Sequence, residues 1–447
     1  MLFNTFEFFI FFISFIFLYI LLKNKNHKVY LICISSLLFY TYGEKLWVIY
    51  LIFSAIFSYK LAYFIYHSKS RRSKLYLSIG VTLPLVILII LKMNYFNLKQ
   101  IPMGVSFFTF QILSYYFDIY KKRIEPANKL LNYFAYLTMF PQLIAGPICR
   151  AKDILPQLDQ IDLKIPNKKI KEGFYLITLG IIKKAVIADA ISVRVDQAFE
   201  SLNLPFGGTS WLLIMIAYSW QIYFDFSGYS DVAIGLSRLM GINIKDNFNN
   251  PYFSKTIKEF WNNWHISLST WFKDYIYIPL GGSKKGQVRL LFAILTTMVL
   301  SALWHGLAFN YIVWGLWHGF SLILFNYFIQ INKNDNSFIK IGNYLYMLLV
   351  VFIGWIFFRS SDFSTSIKII NSILYDFKFI KWHTFYNVYK DLIILISLAF
   401  CIDFSHFLIK LNVVRLYPWM LYIIWLFASV LALIFQAPIK EFIYFRF

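Results

Sequence analysis

The sequence is poor in charge. Only 15% of its 447 residues are Asp, Glu, Lys or Arg, against about a quarter in an ordinary soluble domain. Acidic residues are scarcer than basic ones, 22 against 43. Cysteine is nearly absent. Cys33, Cys149 and Cys401 lie far apart and form no CxxC pair, which argues against a disulfide scaffold, a thiolate metal site and a redox motif. With 19 glycines and 12 prolines the composition also excludes collagen and disorder. No HExxH, GxxxxGK[ST] or GxSxG motif occurs, so no zinc-protease site, phosphate loop or nucleophile elbow is indicated. No metal site is expected.

Apolar residues fill the space. The chain is 59% hydrophobic and 21% aromatic, and its apolar runs are almost continuous. This predicts one polytopic membrane domain over 1–447, with no separate soluble domain. The net charge of +21 sits mostly in short segments between apolar runs. It reads as membrane orientation and attraction to anionic lipids, not as nucleic-acid binding.

The first run, MLFNTFEFFIFFISFIFLYILL, has no basic start and is too long for a cleavable signal. Lys23, Lys25 and Lys28 follow it, which puts the amino terminus outside and this loop in the cytoplasm. Further runs at 28–43, 46–66, 75–91 and 103–120 alternate consistently. The loops 67–74 and 121–129 are basic, whereas 43–45 and 92–100 are less so. Residues 130–150 contain Pro141, Gly146 and Pro147 between two basic flanks. The expectation is a re-entrant segment walling a cavity, the alternative being two short broken helices packed as structure. Spans at 173–193, 209–225, 290–306, 308–329, 341–358, 388–409 and 417–437 bring the total to eleven or twelve, with a polar connection at 359–387.

Seven histidines are present. His27, His67, His383 and His406 sit in loops, in the polar connection or near a span end. His305 and His318 share Leu-Trp-His-Gly flanks at 303–306 and 316–319, an echo too closely spaced for a repeat architecture. An ionisable group within a span marks function by default, and imidazole serves as a base near neutral pH. Bonding to a neighbouring helix is the structural alternative. His265 lies beside a stripe of Ile257, Trp261, Trp264, Leu268, Trp271 and Tyr275, whose spacing predicts a helix. Its polar residues make that helix interfacial, and His265 is then either functional or wetted by headgroups. Asp225 and Asp231, near Arg238, read as an internal salt bridge or as holders of a loop that shapes a cavity. Two classes survive: a membrane enzyme using buried histidine, and a transporter whose buried charges line a path.

The stretch YFDFSGYSDVAIGLSRLMGINIKDNFNNPYFSKTIKEFWNNWHISLSTWFKDYIYIPLGG, followed by LSALWHG and WGLWHG, resembles the membrane-bound O-acyltransferases over about 218–320. MGVSFFTFQILSYYFDIY, FPQLIAGPI and the final FIYFRF are also similar. Within the family the chain is most similar to the bacterial polysaccharide branch, which contains the alginate O-acetylation membrane protein and the PatA-type peptidoglycan O-acetyltransferase. The lipoteichoic-acid D-alanylation proteins are nearby, but their pattern departs from the IPLGG found here.

The resemblance implies an all-α integral membrane fold of about 11–12 transmembrane helices, with re-entrant and interfacial helices around a central tunnel and a core at about 103–325. It implies His305 as the catalytic base and His265 as a second catalytic position that places donor or acceptor. Substrate contacts are expected from Asn263, Trp264, Trp304, Asp225 and His318. It implies no bound cofactor, with acetyl-CoA or an acetyl carrier as donor substrate. It further implies a periplasmic SGNH-type O-acetyltransferase as partner, membrane lipids as surroundings and the bacterial inner membrane as location. The expected function is transmembrane acetyl transfer for O-acetylation of an envelope polysaccharide, peptidoglycan ahead of alginate. Teichoic-acid D-alanylation, or transport of an acyl carrier without chemistry, is the alternative.

Overall fold

In the computed structural model, residues 3, 5–93, 102–161, 163–329 and 337–410 are described. They form helices, with no β-strand among the described residues beyond one isolated bridge from Gly207 to Phe377. Five described helices are long and apolar enough to cross a membrane: Trp47–His67, Ser70–Lys92, Gln287–His305, Ser337–Arg359 and Trp382–Lys410. Such helices form in lipid because each satisfies its own backbone polar groups. The protein is a multi-pass, all-α membrane protein. The expected span at 417–437 and the FIYFRF motif lie outside the described residues.

The described residues divide into two compact units, the first containing those of 1–181 and 229–246, the second those of 182–228 and 247–410. In the first unit, Phe6–Leu21 and Lys25–Glu44 begin at side-chain caps: Thr5 accepts from the Phe8 N–H and Asn24 from the Asn26 N–H. These caps satisfy amides that the first helical turn leaves open. The expected runs 28–43, 46–66, 75–91 and 103–120 each fall on a helix. One loop residue was misread. Lys28 lies inside the Lys25–Glu44 helix and is buried, its amine donating to the Leu163 carbonyl at 3.1 Å and lying over the Tyr19 ring.

Residues 130–150 form two short helices, Leu130–Thr138 and Phe140–Leu143, broken at Met139. The segment from Asn132 to Arg150 is almost wholly buried. Gly104 makes this packing possible. Its φ of 81° is left-handed, and a Cβ there would run into the Leu143 carbonyl oxygen.

Asn167–Ile181 closes the first stretch of the first unit. The second unit opens on a π-helical stretch, Ile182–Ala188, and then Asp189–Ser201. The Lys184 amine lies between Asp189, at 2.7 Å, and Asp225, at 2.5 Å. Asp225 is thus salt-bridged, as its apolar flanks required, but to Lys184. Arg238 pairs in the first unit with Glu172 at 2.6 Å. The expected span 209–225 belongs to a 33-residue helix, Gly207–Leu239. The polar connection 359–387 is not a plain loop, because Asp362 caps a helix at Phe363–Tyr375 by accepting from the Thr365 N–H at 2.9 Å.

The stripe at 257–275 is not one helix. It breaks into Ile257–Asn263 and Ile266–Phe272, followed by a π-turn at Lys273–Tyr277. Most of the stripe is still buried on one side: Ile257, Trp264, Leu268, Trp271 and Tyr275. Periodicity reported the buried face correctly but could not see the break at Trp264–His265.

A candidate active-site cavity

His265 sits at the break. Its backbone is left-handed, φ 41° and ψ 55°, a conformation that costs a non-glycine residue about 1–3 kcal/mol and persists only where the surroundings enforce it. Hydrogen bonds on both sides enforce it here. The His265 carbonyl accepts from the Leu268 and Ser269 N–H groups, and the Ile266 N–H donates to the Asn247 carbonyl at 2.8 Å. The imidazole is buried, 2% exposed, so it is not an interfacial histidine wetted by headgroups. Burial among apolar rings pushes it down to about 3, because desolvation penalises the charged form. Phe226 meets it edge-on at 4.5 Å between centroids.

His305 is the last residue of the Gln287–His305 helix. Trp304, Trp314 and Phe358 surround its ring at centroid distances of 4.9, 5.4 and 5.1 Å.

Both imidazoles line one cavity of about 670 Å³, within the usual range for small-molecule sites. One wall is a single helical face: Gln287, Leu291, Ile294, Met298, Ser301 and His305. Spacings of three and four place these residues in one row along the whole helix. The row starts at an exposed Gln287 and ends at a buried His305. Trp261, Trp264, His265 and Leu268 form the opposing wall. Lys258, Asn262, Lys273 and Ser283 line it where they are exposed, giving a polar, basic rim.

The expected site residues separate into two groups. Trp264, His265 and His305 line the cavity, and the Trp304 ring touches both imidazoles, 6.1 Å from His265 and 4.9 Å from His305. Asn263, Asp225 and His318 are not among the lining residues. Asn263 donates to the Ser254 hydroxyl at 3.0 Å and receives the Asn249 carboxamide at 3.2 Å. Asp225 is held by Lys184. His318 is buried behind Trp261, 5.0 Å between ring centroids, and packs so tightly on Gly354 that a Cβ there would collide with its imidazole. Neither His318 ring nitrogen has a hydrogen-bond partner among the described residues. Nor does the 130–150 segment line this cavity.

Sequence reasoning passed over Asn247 and Ser301, and it used Lys258 and Lys273 only as polarity. Asn247 stood in the quoted KDNFNN run, where an amide-rich stretch beside an apolar helix was the available signal.

The membrane-bound O-acyltransferase family model matches residues 8–361. The chain belongs to that family. The match begins inside the amino-terminal apolar run, well before the 103–325 core that the motifs marked. Among curated relatives, the chain is 39% identical over 282 residues to a probable alginate O-acetylase AlgI of Pseudomonas putida, covering 63% of this chain and 56% of that protein. It is 29% identical over 394 residues to a peptidoglycan O-acetyltransferase of Helicobacter pylori, covering 79% and 75%. It is 33% identical over 244 residues to a teichoic acid D-alanyltransferase of Bacillus subtilis, covering 52% and 60%. The matched region thus spans little more than half the length of the first of these family members.

Proposed function

We propose that this chain is a membrane acyltransferase that passes an acetyl group from a cytoplasmic donor toward the outer face, for O-acetylation of an envelope polysaccharide. The observation that carries the reading is the cavity along the Gln287–His305 helix. At 1.5 Å per residue this helix face runs roughly 27 Å, close to the ~30 Å hydrocarbon core of a bilayer. Lys284, Lys285 and Arg289 surround its exposed end, which supports a cytoplasmic mouth under the positive-inside rule. The same rule supports an external amino terminus, and the bacterial inner membrane is the matching location.

A basic rim suits an anionic acyl donor, acetyl-CoA or an acetyl carrier. The acceptor hydroxyl attacks the thioester carbonyl as His305 takes its proton. A C–O bond forms, the C–S bond breaks, and the leaving thiolate takes a proton back. Such general-base help contributes typically about 10²–10⁴-fold. His265 positions the reacting group, and Trp304 separates the two imidazoles while excluding water that would hydrolyse the thioester. A periplasmic SGNH-type O-acetyltransferase is the proposed recipient or collaborator on the outer face. The alginate O-acetylase and peptidoglycan O-acetyltransferase relatives support alginate and peptidoglycan as acceptor classes; the labelled product decides between them.

The test is transfer of radiolabelled acetyl from acetyl-CoA in proteoliposomes, wild type beside His305→Ala, with and without such a partner and each polymer. Label moving only with wild type supports the reading. Full transfer by a correctly inserted His305→Ala overturns its chemistry. Movement of donor without covalent transfer favours a transporter, and transfer only from a D-alanyl donor favours teichoic-acid modification.

A further inference from the structure

We infer that Asn247 is the positioning residue for His265, fixing which ring nitrogen of that imidazole carries the proton. The inference uses the proposed function for its kinetic arm only. The Asn247 side-chain oxygen sits at the centre of three contacts: the Ser267 N–H at 3.1 Å, the Ser267 hydroxyl at 2.8 Å and His265 Nδ1 at 3.1 Å. A backbone N–H can only donate, so the Ser267 contact settles which end of the carboxamide faces this way. The atom is the oxygen, an acceptor. His265 Nδ1 must therefore donate to it. A neutral ring that holds its proton on Nδ1 has its lone pair on Nε2. His265 lines the cavity, so a substrate group that reaches Nε2 meets an acceptor of a hydroxyl or amide proton.

The backbone around Asn247 is arranged to hold this geometry. The Asn247 carbonyl accepts from the Ile266 N–H at 2.8 Å, and the Asn249 N–H donates to the Asn263 carbonyl at 3.0 Å. The Asn249 carboxamide also reaches the Asn263 side chain. On the next residue, the Asn250 carboxamide bonds Asp403 at 2.7 Å, where the Tyr223 hydroxyl also arrives at 2.8 Å. Asparagines 247, 249 and 250 thus strap the left-handed turn at His265 to the rest of the second unit. This explains why Asn263, expected at the substrate, is engaged in holding the turn.

The experiment is ¹⁵N NMR of histidine-labelled full-length protein in bilayers at pH 7, with the His265 signals assigned by their loss in His265→Gln. The expected wild-type spectrum shows a protonated Nδ1 and a bare Nε2. Asn247→Ala is expected to shift the ring toward the Nε2–H form that imidazole prefers in water. Asn247→Asp keeps an acceptor oxygen in place, so Nδ1 stays protonated. In proteoliposomes Asn247→Ala should lower kcat by about tenfold or more with the donor KM little changed, as wrong-tautomer histidines do, and Asn247→Asp should recover part of the loss. A wild-type ring protonated on Nε2, or an Nδ1–H ring that survives in a folded Asn247→Ala protein, overturns the inference. If Asn247→Ala does not fold, the wild-type and Asn247→Asp spectra still decide. If wild type transfers no acetyl, the proposed function fails while the tautomer result stands.

Discussion

The two cavity histidines share a chamber and differ in almost everything else. His305 ends a 19-residue helix whose apolar length suits a bilayer, and its walls are aromatic rings. His265 occupies a strained break between two seven-residue helices, and an asparagine holds one of its nitrogens. Burial among apolar rings keeps the His265 imidazole neutral. In the proposed function the pair divides labour, His305 taking a proton while His265 keeps its own and orients a partner. Identical side chains thus stand at different helix ends.

The largest expected effect breaks this comparison at the proton-taking side. His305→Ala should lower acetyl transfer by about 10²–10⁴-fold while leaving insertion and the melting temperature near wild type, measured by labelled transfer beside detergent-stability assays. His265→Ala should be milder, about 10²-fold, as misplacement rather than loss of the base predicts. Equal losses in the two variants would remove the distinction between them.

A third prediction concerns stability. His265 is depressed to about 3 in the fold, against roughly 6.5 when unfolded. As pH falls below 6.5 the unfolded chain takes up a proton that the folded chain refuses, so stability present at neutral pH is lost on acidification. Between pH 7 and pH 5 this amounts to about 2 kcal/mol. Melting curves at both pH values should show wild type losing more than His265→Gln. A wild type no more acid-sensitive than that variant would mean that the buried ring is already protonated.

The smallest effect concerns sidedness. With Cys401, the exposed native cysteine, replaced by serine, Glu125→Cys and Lys152→Cys should label from the same side if 130–150 is re-entrant. Both positions are exposed, whereas Leu155 is buried. Opposite-side labelling would turn the segment into a crossing.

Much of this was legible from the residues. The apolar runs marked helices because spanning segments in lipid must satisfy their own backbone. The LWHG and WHISLS stretches marked both cavity histidines, and Trp264 and Trp304 followed from them. Asn263 and His318 were expected at the substrate from their motifs, and Asp225 from its place as a carboxylate beside apolar sequence. The structure gives each a neighbour inside the fold: Ser254, Lys184 and the Trp261 wall.

The sequence by itself determined the membrane character and the helices, because composition and periodicity are local properties of the chain, while the family and the two imidazoles followed from motifs that resemble it. The tertiary structure alone decided that those imidazoles open into one chamber and that Lys184, 41 residues away, is the partner of Asp225. It also placed the Asn247 side chain, 18 residues from His265 in sequence, within 3.1 Å of its Nδ1. These are long-range contacts, set by how helices pack and where one of them breaks. A left-handed histidine has no signature in a pattern of apolar residues.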